Sequence, residues 1–447
     1  MKKVFIVYRN NYYRYLSTII EACLDQNDRI EIWFHDSLDR KDSPFFKNIN
    51  NNLKFVEFLD DKDLIGKIKR SSQVDNFFSL HPFPGDLDKE ISLKIDNKWM
   101  IIMHGIDSYL EIRDWHFKHQ NSFLAQDYRR HFFAYSNYLH QKGINWLENF
   151  KLDNSGNNCN FFSSEKTSTH FSKAPFIGMK SFKLDPIQIK KKYSLDPNKK
   201  VLVYLPFPYS SGRYEKAESN AVHVAFSGIK HKWEDNIYYL NKYGVTRPLL
   251  SLLKRIYDFL LIFRFNKSRK IHFNKQNEES VIKEIRNFCN KNNFMFVVKA
   301  RKKLGIPRIL DSLADLIVLG DENVQHPSEY QELSAVSDLT IGYTSTAVIE
   351  SVFYKTHFIN IGFPKEFYGY GDHSREMHNT RQGFLYNQPG VVTNFLYTDF
   401  IETFITLNPS LFNLNKESEK EYIKRFIGED FLFDNRNYFR RITEESR

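Results

Sequence analysis

Short apolar runs alternate with helical amphipathic stretches along the amino-terminal part of the chain. The apolar runs that predict β-strands are Val4–Tyr8, Arg29–Phe34, Leu53–Phe58, Asn76–Leu80, Lys98–Met103 and His131–Tyr135. Between the first two runs, Tyr12–Leu24 repeats its apolar residues at the spacing of a helix. Strands and helices in alternation predict an α/β domain built on a doubly wound sheet.

The same alternation begins again at Val201–Leu205, the predicted first strand of a second domain. The polar stretch Ile187–Lys200, which contains a proline, is interpreted as the crossing between the domains. Further on, Glu278–Asn292 has the pattern of a helix and Asn293–Lys299 that of a strand. We therefore predict one domain over residues 1–185 and another over residues 199–415.

Two segments depart from this regular alternation. Residues 206–277 form an insertion that is long for a compact domain, which favours a functional or surface role. Residues 416–447 predict a helical carboxyl-terminal tail.

The segment from Ser337 to Gly362 carries the clearest functional pattern. It predicts a strand over Leu339–Ile341, a hydroxyl-rich turn, a helix, and a second strand over His357–Gly362, which together make a parallel βαβ unit. The free N–H groups and the dipole of a helix N-terminus favour a phosphate. The residues predicted to bind the diphosphate of a nucleotide-activated donor are Gly342, Thr344, Ser345 and Thr346.

Glu350 falls about one turn further along the predicted helix. A carboxylate at that place can accept a hydrogen bond from a ribose hydroxyl, so Glu350 is predicted to bind the donor as well. The alternative for the turn is that Thr344 or Ser345 only caps a packing helix, as hydroxyl side chains often do.

The run from Ser337 to Gly362 resembles the donor-binding segment of two-domain GT-B enzymes. It is most similar to the CDP-glycerol glycerophosphotransferase (teichoic-acid polymerase) and capsule glycosyltransferase group, and less similar to UDP-N-acetylglucosamine 2-epimerases. The shared pattern is an acidic residue, an apolar strand, a hydroxyl-rich turn and a helix with a carboxylate. The resemblance implies two Rossmann-like domains that face each other across a cleft. Residues 1–185 would bind the acceptor and 199–415 the donor, while the tail 416–447 would pack on the amino-terminal domain.

His104 follows the predicted strand Lys98–Met103 and precedes Gly105. An imidazole titrates near neutral pH, so it can accept a proton from an acceptor hydroxyl. The alternative is a histidine that only hydrogen-bonds the backbone at a strand end. The CDP-glycerol group has a Trp-His-Gly motif here with the histidine as catalytic base; this chain keeps His-Gly and lacks the tryptophan. By this resemblance His104 is predicted to be the base.

The strand Asn293–Lys299 ends in a basic run that includes Arg301. The same family has Lys-x-His-Pro at this place, where the basic groups bind donor phosphates. This chain keeps the lysine and has Arg301-Lys302 instead of His-Pro, and a guanidinium fork also suits phosphate. Lys299 and Arg301 are therefore predicted donor ligands, whereas Lys302 is equally well explained by a solvated loop.

Two other loops supply further candidates. Ser210, Ser211 and Arg213 follow the strand Val201–Leu205 and are predicted to bind the diphosphate or the acceptor, although Ser-Ser-Gly is also ordinary turn chemistry. By resemblance, the loop that contains His326 lies against the nucleotide base, so His326 is a further predicted donor contact.

Composition narrows the functional classes. The chain is 41% hydrophobic, which is ample for globular cores. Its three cysteines lack the spacing of a zinc site or a disulfide framework, so the cytoplasm is the expected compartment. The net charge of +10 fits an anionic substrate or membrane, and no nucleic-acid-binding signature accompanies it.

No metal or cofactor other than the donor substrate is expected. The sequence has no HExxH motif and no P-loop, and Asp60-Asp61-Lys62-Asp63 is interpreted as a polar loop. Helix dipoles and basic side chains can stabilise a departing phosphate without a metal ion.

Residues 247–270 interleave Leu and Phe with Lys and Arg. The segment is too charged to span a bilayer, but it could lie on an anionic membrane surface. The alternative is an amphipathic helix that covers the second domain. Because lipid-linked acceptors are common in the family, the resemblance keeps a peripheral contact with the inner face of the membrane open.

The sequence and its resemblance predict a metal-independent transferase of surface polysaccharide biosynthesis. It would move a glycosyl or glycerophosphoryl unit from a nucleotide-activated donor to a glycan or lipid-linked acceptor. Two alternatives stay open: a UDP-sugar 2-epimerase, and a non-catalytic basic scaffold that binds an anionic polymer or a membrane.

Overall fold

The structure is a computed structural model. It describes residues 1–7, 26–36, 52–72, 74–80, 95–102, 130–135, 169–174, 184–206, 275–301, 307–320, 328–343, 345–362 and 385–427, and in addition residues 16, 19–20, 23–24, 90–91 and 382–383. The chain divides into two compact units. Unit 1 comprises Met1–Lys183, Glu322–Ser328 and Glu419–Arg447, and unit 2 comprises Leu184–Asp321 and Glu329–Ser418.

The described residues of unit 1 form a sheet of seven parallel strands. They are β1 (Lys2–Val7), β2 (Arg29–His35), β3 (Leu53–Phe58), β4 (Val74–Ser79), β5 (Ile95–Ile102), β6 (Arg130–Tyr135) and β7 (Thr169–Ala174). Their order is β3-β2-β1-β4-β5-β6-β7, and each neighbouring pair is parallel. The central strand β1 is buried from Val4 to Val7, as expected of a parallel sheet that is covered on both faces.

Helix α1 (Asp61–Arg70) corrects one prediction from the sequence. Asp60 is its N-cap and accepts a hydrogen bond from the backbone N–H of Asp63 at 2.9 Å. Leu64 and Ile68 bury its apolar face. The interpretation of this acidic run as a loop is therefore wrong, because carboxylates are favoured in the first turn of a helix as well as in loops.

Unit 2 contains a second parallel sheet. Its strands are β8 (Lys200–Tyr204), β9 (Phe294–Arg301), β10 (Leu316–Gly320), β11 (Leu339–Tyr343), β12 (His357–Gly362) and β13 (Val392–Leu396), in the order β10-β9-β8-β11-β12-β13. All neighbouring pairs are parallel. This is the strand order of a doubly wound dinucleotide-binding fold. The predicted fold class, α/β with two Rossmann-like sheets, is confirmed.

Within the part of the chain that the structure describes, the helices after α1 are α2 (Pro186–Lys192), α3 (Lys275–Asn292), α4 (Leu310–Leu313), α5 (Glu329–Ser334), α6 (Ala347–Phe353), α7 (Tyr397–Thr403) and α8 (Lys416–Tyr422). Two short 3₁₀ helices, Phe404–Thr406 and Pro409–Phe412, follow α7, and a π-helical turn, Ile423–Ile427, follows α8. The predicted tail is therefore helical as far as Ile427, and residues 428–447 lie outside the described chain.

The predicted crossing Ile187–Lys200 begins inside a helix. Asp185 accepts a hydrogen bond from the backbone N–H of Ile187 at 2.9 Å and caps α2, whose first residue is Pro186. A proline is well tolerated at that place because the first turn of a helix needs no N–H donor there.

Helices cover both faces of the second sheet. On one face, α3 buries Val281, Ile285 and Phe288 against strand residues such as Phe296 and Ile341. On the other face, α5 and α6 pack on each other, α5 on β10 and α6 on β12. Because side chains alternate along a strand, successive residues at each strand end face different helices.

Candidate functional site

The order of the strands in unit 2 reverses between β8 and β11. Open α/β sheets bind their ligands outside the carboxyl ends of the strands at such a reversal. β8 ends at Tyr204 and β11 at Tyr343. The two ends stay joined, because the backbone N–H of Leu205 donates to the carbonyl of Ile341 at 2.9 Å. The described residues around this point form the candidate donor site.

The hydroxyl-rich turn lies directly after β11. Ser345 and Thr346 are both partly exposed, and α6 begins after them, at Ala347. The Ser345 Oγ accepts from the backbone N–H of Ala347 at 3.3 Å, which is long for such a bond. Thr346 is the N-cap residue and makes no side-chain capping bond. The Ser345 hydroxyl therefore caps the helix only weakly. The Thr346 hydroxyl makes no capping bond and is available to a ligand.

Gly342 packs closely inside the sheet. A Cβ atom at this position would lie 3.2 Å from both Leu205 Cβ and Phe358 Cζ. Close packing therefore explains why position 342 is a glycine, and the sequence alone did not indicate this. Its role in donor binding stays a prediction.

Lys299 lies near the carboxyl end of β9 and is 4% exposed. Its side chain shares the space above Gly320, the last residue of β10, with the carboxylate of Glu329. A Cβ atom at Gly320 would lie 2.8 Å from Lys299 Cε, 3.0 Å from Lys299 Nζ and 2.8 Å from Glu329 Oε2. The amino group of Lys299 and the carboxyl group of Glu329 therefore lie side by side at this strand end. Arg301 ends β9, and its side chain lies outside the described ones.

Glu350 lies inside α6 and is 7% exposed. Its Oε1 accepts from Nε2 of the fully buried Gln331 at 3.4 Å. The neighbouring Tyr330 donates to the carbonyl of Ala347 at 3.1 Å, and its hydroxyl also hydrogen-bonds the Ser351 hydroxyl. The same burial raises the pKa of Tyr330, so its hydroxyl stays protonated.

Three consecutive residues of α5 thus reach three parts of the site. Glu329 lies beside Lys299, Tyr330 holds α6, and Gln331 contacts Glu350. Sequence reasoning did not identify this role of α5. The only signal was a polar residue on each side of a tyrosine in a helix that is buried at five of its six positions.

Several predicted site residues lie outside the described part of the chain. They are His104, Ser210, Ser211, Arg213, His326 and Thr344. The segment 247–270 and most of the insertion 206–277 lie outside it as well. The roles of these residues stay predictions.

The described residues contain neither a cluster of metal ligands nor a helix that could cross a membrane. No three His, Cys, Asp or Glu side chains among them are grouped as metal ligands. None of the helices that they form combines the length and the apolar character that a bilayer crossing requires.

Comparisons with known proteins bear on the fold. No protein-family model matches the chain, and no curated protein does. Among solved structures, Arabidopsis thaliana UGT89C1 complexed with UDP matches with a TM-score of 0.50 and 8% identity, over 100% of both chains. The UDP-GlcNAc 2-epimerase of Methanocaldococcus jannaschii matches with a TM-score of 0.48 and 11% identity, over 99% of both chains.

The wall teichoic acid polymerase TagF also matches, with a TM-score of 0.47 and 11% identity, over 99% of this chain and 88% of that one. Identities this low speak to the fold and not to the reaction. The likeness to UGT89C1 extends over the whole chain, and both sheets have the strand order of a Rossmann-like unit. The chain therefore has the two-sheet α/β fold of GT-B glycosyltransferases.

Proposed function

We propose that this protein transfers a glycosyl or glycerophosphoryl unit from a nucleotide-activated donor to a glycan or lipid-linked acceptor. The observation that carries the proposal is the set of groups at the carboxyl edge of the second sheet. Lys299 at β9, the hydroxyls of Ser345 and Thr346 after β11, and Glu350 in α6 all belong to this edge.

The spacing of the strands suits a diphosphate. Val298, Tyr204 and Ile341 are paired across β9, β8 and β11. Lys299, Leu205 and Gly342 each follow one of these residues, so they lie at about the same height. Neighbouring strands lie about 4.8 Å apart, so β9 and β11 are about 10 Å apart. A lysine side chain on one strand and hydroxyls beyond the other can reach one diphosphate from two sides. The hydroxyl and ammonium groups can donate hydrogen bonds to the negatively charged diphosphate. The Glu350 carboxylate can accept a hydrogen bond from a ribose hydroxyl.

The fold supports the same assignment. UGT89C1, which has this fold over its full length, is described in complex with UDP. A nucleotide at the corresponding edge of this chain would meet the groups named above. The proposal assigns the acceptor to unit 1, with His104 as the base that removes the proton of the acceptor hydroxyl.

Leaving-group charge would be stabilised by the protein itself. Lys299, and Arg301 at the same strand end, are the basic groups proposed to balance the departing phosphate, so the reaction would need no metal ion. Contact with a membrane surface through residues 247–270 would bring the enzyme to a lipid-linked acceptor.

A screen of nucleotides tests the proposal. The protein is heated with CDP-, CMP-, UDP- and GDP-linked donors at millimolar concentration, and the midpoint of thermal unfolding is recorded. A ligand at a hundred times its dissociation constant stabilises the folded state by about 2.7 kcal/mol, which is readily measured. We expect at least one nucleotide to raise the midpoint. Absence of binding to every nucleotide would refute the proposal.

Product analysis then separates the alternatives. The best donor is incubated with and without glycan acceptors, and the products are identified by mass spectrometry. A transferase consumes the donor faster when an acceptor is present. A changed sugar in the absence of any acceptor would instead indicate an epimerase, and binding without turnover would indicate a scaffold.

A further inference from the structure

Three buried polar side chains meet on the α3 face of the second sheet. Tyr204 and Tyr343 are the last residues of β8 and β11, and Glu278 lies in the first turn of α3. The Tyr204 hydroxyl donates to Glu278 Oε1 at 3.3 Å and lies 3.1 Å from the Tyr343 hydroxyl. Because the single hydroxyl hydrogen of Tyr204 is used by Glu278, Tyr343 donates to Tyr204. We call these residues the tyrosine–glutamate cluster.

The cluster is an unusual component of an apolar core. Tyr204 and Glu278 are completely buried and Tyr343 is 3% exposed. A buried carboxylate costs free energy that an apolar side chain of similar size would avoid, so stability alone does not account for Glu278. Burial also raises the pKa of Tyr204 and of Tyr343 well above its usual value. Both hydroxyls therefore stay protonated, and the hydrogen bonds persist throughout the neutral pH range.

The cluster lies directly behind the candidate donor site. Tyr343 ends β11 and immediately precedes the turn that contains Ser345 and Thr346. Tyr204 ends β8, and the strand order reverses between β8 and β11. One hydrogen bond joins residues 74 positions apart and the other joins residues 139 positions apart. The ends of β8 and β11 and the start of α3 are thereby fixed at one point.

Side-chain alternation leaves the ligand side open. Tyr343 belongs to the core on the α3 face, whereas the preceding Gly342 faces the opposite side, where it meets Phe358. The backbone of the turn is therefore held from behind, and none of the cluster occupies the face on which Lys299 lies.

We propose that the tyrosine–glutamate cluster positions the donor-binding turn, with Tyr204 as the central positioning residue. The inference rests on the proposed function, because it takes the Ser345–Thr346 turn to be the phosphate site. Hydrogen-bond donors must be held within a fraction of an ångström of their productive places, so a turn released from its anchor binds a diphosphate less well.

Substitution Tyr204→Phe tests this inference, since it removes both hydrogen bonds and keeps the aromatic ring. Calorimetry measures the dissociation constant of the nucleotide that gave the largest thermal shift with the wild-type protein. We expect that constant to rise about five- to tenfold. Tyr343→Phe removes one bond of the two, so its effect should be smaller. The control Tyr422→Phe removes a hydroxyl from a completely buried tyrosine of unit 1 and should leave the constant unchanged.

A second pair of variants distinguishes positioning from simple core packing. Glu278→Gln keeps an oxygen that can accept from Tyr204, whereas Glu278→Leu does not. We expect donor affinity close to the wild-type value in the glutamine variant and a loss similar to that of Tyr204→Phe in the leucine variant. Equal loss in both would overturn the hydrogen-bond explanation.

The outcomes separate the inference from the function on which it rests. If Tyr204→Phe lowers the thermal midpoint but binds the nucleotide as well as the wild type, the cluster is core packing only and the proposed function stands. If the wild-type protein binds no nucleotide, the proposed function fails and the inference falls with it.

Discussion

Asp338 accepts a hydrogen bond from the backbone N–H of Val201, with 2.8 Å between Oδ2 and N. The two residues are 137 positions apart and lie at the amino ends of β11 and β8. Asp315, which precedes β10, accepts from Phe296 of β9 at 2.7 Å in the same way. In both cases an aspartate that precedes one strand accepts a hydrogen bond from a backbone N–H of the neighbouring strand. The acidic residue of the donor-segment pattern therefore has a structural role at the edge opposite the candidate site.

Asp338→Ala should lower the free energy of unfolding by about 1 kcal/mol, because a charged acceptor of a backbone N–H is lost at a partly solvated place. Urea denaturation measures the change. Asp311→Ala, which alters an exposed carboxylate of α4, is the control and should have a smaller effect. Nucleotide affinity should be unchanged in both variants, and a large loss of affinity in Asp338→Ala would contradict the structural role.

Stability should depend on pH through His357. This residue is 1% exposed and its Nε2 lies 2.9 Å from the Thr393 hydroxyl. Burial lowers the pKa of His357 to about 4, from 6.5. Below pH 6.5 the unfolded chain takes up a proton that the folded chain does not bind until about pH 4. The stabilisation is therefore fully present above pH 6.5 and decreases as the pH falls towards 4.

The expected loss across this window is about 3 kcal/mol. It is measured by urea denaturation at several pH values for the wild type and for His357→Gln, which does not titrate. The difference between the two proteins should shrink as the pH falls. A difference that is independent of pH would show that His357 has the same pKa in the folded and the unfolded chain, which would contradict the prediction.

The combined variant Ser345→Ala, Thr346→Ala should weaken donor binding by about 1–3 kcal/mol, because hydrogen bonds to a charged phosphate are stronger than neutral ones. Calorimetry with the best nucleotide measures the change. Ser410→Ala, an exposed serine of the same unit, is the control. Normal affinity with a much lower thermal midpoint would mean that the two hydroxyls stabilise the fold and do not bind the donor.

Gly320→Ala should weaken the binding of the donor more than it lowers the stability of the fold. The added methyl would lie 2.8 Å from Lys299 Cε and from Glu329 Oε2, both towards the ends of flexible side chains. These ends can move, so the stability should change by less than about 1 kcal/mol, whereas the displaced ammonium should bind phosphate less well.

Gly66→Ala provides the matched control for this substitution. Its added methyl would meet only Arg70, at 3.7 Å or more, and alanine is the better helix former by about 1 kcal/mol. It should raise the thermal midpoint and leave donor affinity unchanged. Unaltered affinity in Gly320→Ala would remove Lys299 from the proposed phosphate site.

His104→Ala should reduce turnover at least about a hundredfold while nucleotide affinity stays near the wild-type value, because a general base acts on the acceptor. Steady-state rates and calorimetry with the same donor measure the two quantities. Parallel loss of affinity and turnover would indicate a structural histidine.

The strands missed by sequence reasoning share a position in the fold. β10 and β13 are the two edges of the second sheet, and β7 is an edge of the first. Edge strands have a neighbour on one side only and carry more polar residues than central strands, as Val392–Leu396 illustrates with its mixed burial. The local apolar pattern is therefore weak in β7 (Thr169–Ala174) and in β13. β10 (Leu316–Gly320) is apolar throughout, so a weak pattern does not explain why that strand was missed. By contrast, the central strand His357–Gly362 is buried throughout and has the bounds that its sequence predicts.

The sequence by itself determined the α/β class, the central strands and the βαβ unit around Ser345, because apolar periodicity is a local property of the chain. Only the tertiary structure decided which distant residues meet at the site. Lys299 shares its place with Glu329, and Tyr204 contacts Glu278 and Tyr343, because the strand order brings their elements together. Strand order arises from how helices and sheets bury each other's apolar faces, and no short stretch of sequence encodes it.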